Sequence, residues 1–166
     1  TGVQTCALPI SRPLIAMFDG SSLSAVIEKM TGGEVEITLH EPVTVAEFGV
    51  TPQPNYTNPR QMSFTADGVE VLKVELEHNP GKTVSQRFKL PQPVTFRKLV
   101  VRFISVYQHQ GANWGAVRSI EGFDAQGNNV LLARRRSFMK ADDVFTQDDP
   151  RYYDNAIVAL HEIGRA

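Results

Sequence analysis

The chain has 166 residues, 42% of them hydrophobic and 21% charged, which fits one ordinary globular domain with a single buried core. Lys and Arg total 17 against 18 Asp and Glu, so there is no overall basic field and nucleic acid is not an expected partner. The single cysteine, Cys6, permits no internal disulfide, and no apolar run has the length of a membrane-crossing helix, so membrane insertion is not expected either.

The first stretch, "TGVQTCALPIS", lacks the basic, apolar and small-residue regions of a secretory signal. Ala7 to Ser11 can be written GCT CTT CCG ATC TCN. The reverse complement of that stretch reads Glu-Ile-Gly-Arg-Ala, the sequence of Glu162 to Ala166. Both ends therefore read as opposite strands of one short oligonucleotide resembling a sequencing-library adapter. The native protein is expected over residues 12–161, as a fragment, with residues 1–11 and 162–166 artefactual. Cys6 then drops out of consideration.

The native part is read as short β segments divided by turn chemistry. After Asp19-Gly20, "EVEITLH" alternates strictly, with Val35, Ile37 and Leu39 on one face and Glu36, Thr38 and His40 on the other. "VTVAEFGV" switches parity after Val45, and "VEVLKVELE" switches between Val71 and Leu72; a parity change predicts a bulge or bend. "QMSFTA" precedes the Asp67-Gly68 turn. "TVSQRFKL" and "RKLVVRFISVY" flank Pro91 and Pro93, and the second is apolar on both faces at Leu99, Val100, Val101, Phe103, Ile104 and Val106, which places it mid-sheet. "AVRSIEGFD" and "NNVLL" complete eight strands, a number and spacing that imply an antiparallel sandwich or barrel.

After Leu132 the pattern changes. Residues 133–161 are expected to be a linker and the start of a second element, with Asp149 capping and Pro150 opening a helix. Arg134 to Arg136 read as a solvated strand end, or as a contact for an anionic partner.

In order, "AMFDGSS", "ITLHEPVTVAEFGV", "FTADGVEVLKVELE", "SQRFKLPQPVTFRKLVVRFISV" and "WGAVRSIEGFDAQG" resemble the discoidin or coagulation factor 5/8 type C family, whose bacterial members include carbohydrate-binding modules. The resemblance spans residues 14–132, within a discoidin-like sandwich domain expected over residues 12–132. It implies an all-β, eight-stranded antiparallel jelly-roll β-sandwich of the galactose-binding-domain-like type. It also implies a noncatalytic module that binds a glycan or polysaccharide, with a neighbouring catalytic domain in a secreted parent protein, extracellular or periplasmic. The alternative is a structural sandwich that packs against a catalytic domain and holds no ligand; a third reading has it mediating protein or membrane-surface contact. Many family members hold a structural calcium near the first Asp-Gly turn. Here that role falls to Asp19 and Ser24, with Ser119 where the family's late Glu would sit, a poor cage for an ion that takes six to eight oxygens. No other cofactor is expected.

No nucleophile-elbow, zinc-binding helix, phosphate loop or C-x-x-C pair occurs, and no catalytic residue is assigned. Glu121 and Asp124 are the one tempting carboxylate pair, but their odd spacing turns them to opposite strand faces. The loop "YQHQGANWG" carries more information. Tyr107, His109, Gln110, Asn113 and Trp114 combine flat rings with imidazole and amide groups, suited to sugar C–H faces and hydroxyls, and Gly111 and Gly115 permit tight turns. Tyr56 and Arg60 in "PNYTNPR" are candidates for a second wall. Trp114 is then either a ligand-stacking ring or a core anchor packed inward; an exposed indole favours the first.

Overall fold

Two long strands, β2 (Glu34–Pro52) and β6 (Gln86–Phe103), run antiparallel through the computed structural model, which describes residues 14–20, 24–78, 82–134 and 155–161. Where one face is covered their side chains alternate: Val35, Ile37 and Leu39 are buried and His40 is exposed. Both strands bend. The register jumps in β2 between Thr38 and Val43, across Pro42, and in β6 between Val94 and Lys89, across Pro91 and Pro93. Proline cannot donate to a ladder and is confined to edges, strand starts and bulges, so these prolines sit where the ribbon changes direction.

The bend lets one ribbon serve two layers. Residues 34–39 lie between β9 (Ala156–His161) and residues 98–102 of β6, and the layer continues through β4 (Gln61–Ala66) to β5 (Val69–Glu75). Residues 47–50 lie between β8 (Gly115–Phe123) and residues 86–89 of β6, with β1 (Ala25–Ile27) beyond β8. All these pairings are antiparallel. Phe48 from the second layer stacks on Phe64 from the first at 4.7 Å, and Phe96 closes on Phe48 at 6.2 Å. With Phe103, Met62, Leu99 and Val101 they form a core in which each buried side chain contributes roughly 1.5–3 kcal/mol.

The all-β antiparallel sandwich read from the sequence is the fold observed, with its segments regrouped. "EVEITLH" and "VTVAEFGV" fuse into β2, because the chain bends at Pro42 without leaving the ladder. The next pair fuses into β6 for the same reason, and β6 lies mid-sheet between β2 and β4 as its apolar run predicts. Both parity changes coincide with register breaks: one follows Val45, and the other leaves Val71 as an extra residue between Glu70 and Leu72. At Asp67-Gly68 both residues have positive φ, 46° and 86°, as a two-residue hairpin turn of this twist requires. "NNVLL" forms only a bridge from Asn129 to Phe123, while Leu131 drops into the core.

Beyond Leu132 the described residues pack on the sandwich. Ala133 is buried and its N–H donates to the Phe18 carbonyl at 2.8 Å. Ala156–His161, expected past the sandwich, instead forms β9 on the open edge of β2, with Ala156 and Val158 buried. That edge has a row of unpaired backbone groups, which a strand from the same chain satisfies. The helix start expected at Asp149-Pro150, Arg135 and Arg136, and both expected artefactual ends lie outside the described residues.

Candidate functional site

Two short strands outside the main layers organise one end of the molecule. β3 (Asn58–Pro59) pairs with β7 (Val106–Tyr107), so the loop entering β3 and the loop leaving β7 run side by side. Thr57 pins them together. Its hydroxyl accepts the His109 N–H at 3.0 Å and donates to the Ala112 carbonyl at 3.0 Å, and its own carbonyl accepts the Ala116 N–H at 3.1 Å. Thr57 is 1% exposed, so these bonds form where water does not compete and each unmade one would leave a buried group unpaired.

Gly115 makes the approach possible. A Cβ there would lie 2.4 Å from the Thr57 carbonyl oxygen and 2.8 Å from the Met30 Cε. The sequence predicts a tight turn at this glycine; its role is instead backbone clearance, while Gly111, at φ 70°, does occupy a turn. That turn runs from His109 to Ala112, closed by Ala112 N–H to His109 carbonyl at 3.1 Å, with both Gln110 and Gly111 at positive φ.

Above this base lies an open cleft of about 430 Å³ lined by Asn55, Tyr56, Thr57, His109, Gln110, Ala112 and Trp114. Trp114 is 37% exposed, one of the few large apolar side chains so placed among the described residues. The Tyr56 ring meets it edge-on, 5.3 Å between centroids and 70° between planes, forming an aromatic corner. Asn55 and Gln110 both hold the left-handed backbone conformation, at φ 65° and 53°. Outside glycine such a conformation costs on the order of 1 kcal/mol and persists where its surroundings enforce it.

Of the sequence candidates, Trp114, His109, Gln110 and Tyr56 meet at this cleft. Tyr107 and Arg60 do not line it. The Tyr107 hydroxyl donates to the Leu76 carbonyl at 2.8 Å, its ring stacks on His78 at 4.5 Å, and the Arg60 guanidinium sits 5.4 Å from the same ring while its Nε contacts Glu75 at 3.1 Å. Asn113 is exposed beside the cleft without lining it, and its carbonyl accepts the Met30 N–H at 3.4 Å. Sequence reasoning missed Asn55, Thr57 and Ala112. The Asn55 position had a signal, since asparagine tolerates left-handed geometry; a buried threonine hydroxyl has none.

The metal candidates Asp19 and Ser24 flank residues that are not described. The Ser24 hydroxyl is engaged by the Gln53 side-chain carbonyl, and among the described residues no group of three or more His, Cys, Asp or Glu converges. Glu121 and Asp124 are apart: Glu121 accepts the Thr51 hydroxyl at 3.0 Å above Gly49, and Asp124 closes the following turn. The Asn128 N–H, helped by the Asn128 side chain and the Gln126 N–H, holds the Asp124 carboxyl below its ordinary range. A larger depression of about 600 Å³ is bounded by Leu39, His40, Arg134 and Asn155. Both ends of the Asn155 amide are already used there, by the Arg134 N–H at 2.7 Å and the Leu132 carbonyl at 2.8 Å.

A bent, two-layer antiparallel sandwich with a loop-borne cleft at one end is the galactose-binding-like jelly roll, and solved structures of that fold match it. A family 32 carbohydrate-binding module from a family 31 glycoside hydrolase of Clostridium perfringens superposes with TM-score 0.55 at 13% identity, over 66% of this chain and 82% of that one. The family 32 module of Clostridium perfringens NanJ, solved with galactose, gives 0.54 at 16% identity, over 66% and 83%. The family 32 module of AlyQ, solved with 4,5-unsaturated mannuronic acid, gives 0.50 at 15% identity, over 66% and 84%. No protein-family model matches the sequence, and no curated protein does.

Proposed function

We propose that the chain is a noncatalytic carbohydrate-binding module, part of a larger secreted carbohydrate-active protein with a catalytic domain elsewhere, and that it holds its glycan at the Tyr56–Trp114 corner. The observation that carries this reading is the exposed indole: a ring of that size left partly in water, met edge-on by a second ring and ringed by amides and an imidazole, offers stacking and hydrogen bonding together. The fold neighbours are modules of this kind, which supports the reading from the architecture. The same exposure argues against an inward core anchor, the role the purely structural alternative requires.

One stacking face with a few hydrogen bonds binds weakly, with a dissociation constant on the order of 0.1–1 mM, or roughly 4–5.5 kcal/mol. A glycan array screened with the wild type and Trp114→Ala tests the assignment. Binding by the wild type, a loss of at least tenfold in the variant and a nearly unchanged melting temperature are expected. An unfolded variant, or a wild type that binds no glycan, favours the structural alternative.

A further inference from the structure

We infer that this cleft, read as a saccharide site, selects uncharged sugars and discriminates against uronates and other anionic saccharides. Among the described residues its lining holds no Arg, Lys, Asp or Glu. Two amides, Asn55 and Gln110, an imidazole, His109, and two rings make up the accessible polar surface, since the Thr57 hydroxyl is already spent on the loops. Amides and imidazoles both donate and accept, which suits sugar hydroxyls that do the same. A carboxylate only accepts, and it needs charged donors to replace its hydration. The cation sequence reasoning placed beside the cleft, Arg60, is turned to Glu75 and the Tyr107 ring instead.

Gln110 is the lining position at which a cation can be introduced to test the selectivity. It occupies the first central position of a turn with two positive φ values and lines the cleft with an uncharged amide. The corner is open to solvent, so an anion keeps part of its hydration and the discrimination is moderate: about tenfold or more in affinity.

The test uses matched pairs that differ only at C6, methyl galactoside against methyl galacturonoside and methyl glucoside against methyl glucuronoside, at one fixed pH and ionic strength. Trp114 is the one tryptophan in the chain, so its fluorescence reports the cleft directly. A saturable change with a neutral sugar, and at least tenfold weaker binding of its uronate, is expected. Gln110→Lys should then raise the uronate-to-neutral affinity ratio, because it introduces the missing cation. A uronate bound as tightly as its neutral partner overturns the selectivity and leaves the saccharide reading standing. No response to either member of both pairs, with no hit on the array, overturns both.

Discussion

The Trp114 corner and the Tyr107 cluster grow from the same pair of short strands and draw on the same kinds of residue, yet they differ in how many of their groups are already partnered. In the cluster the Tyr107 hydroxyl, its ring and the Arg60 guanidinium each meet another group of the protein. In the corner the Trp114 ring meets Tyr56 edge-on while 37% of the residue stays exposed. Residue types nominate both regions as sugar sites. Saturation separates them, because a group that must first break a good internal contact gains little by binding a ligand.

The largest expected effect strikes the base that both regions share. Gly115→Ala drives a methyl into the Thr57 carbonyl, a backbone atom that cannot swing away. A stability loss of about 1–3 kcal/mol is expected, together with loss of glycan binding as the loops separate. Chemical denaturation read alongside the array checks both; normal binding with normal stability would show that the loop approach is not required.

A smaller effect isolates the cluster. Tyr107→Phe removes the bond to the Leu76 carbonyl and keeps the ring, so a loss of about 0.5–1.5 kcal/mol is expected, roughly 2–4 °C in melting temperature for each kcal/mol. Glycan affinity should stay within about twofold of the wild type, since less than a few tenths of a kcal/mol is at stake. Affinity falling tenfold with unchanged stability would reverse the roles given to the two regions.

The fold was legible where physics is local. Alternation at Val35, Ile37 and Leu39, the parity switch at Val71 and the Asp67-Gly68 turn each follow from the period of a strand or the φ demand of a hairpin, and each is found in place. The fusion of segments into β2 and β6 was not legible, because a proline at a bend looks the same as a proline at a break. The return of β9 to β2 depends on pairing across more than a hundred residues, which no local pattern encodes. At the site, the loop sequences pointed to Trp114, His109, Gln110 and Tyr56. They could not show that Tyr107 and Arg60 satisfy each other and their neighbours instead, nor that Gly115 is needed for Thr57 to approach.

Chemical-shift mapping of the isotope-labelled protein with the best glycan from the array bears most directly on this comparison, because it reads both regions in one experiment. Saturable shifts are expected at Asn55, Tyr56, Thr57 and His109 to Trp114, with the Trp114 indole N–H among the most strongly moved and His78 and the Tyr107 ring almost still. Shifts centred on Tyr107, His78 and Arg60, with the indole unmoved, would contradict the account.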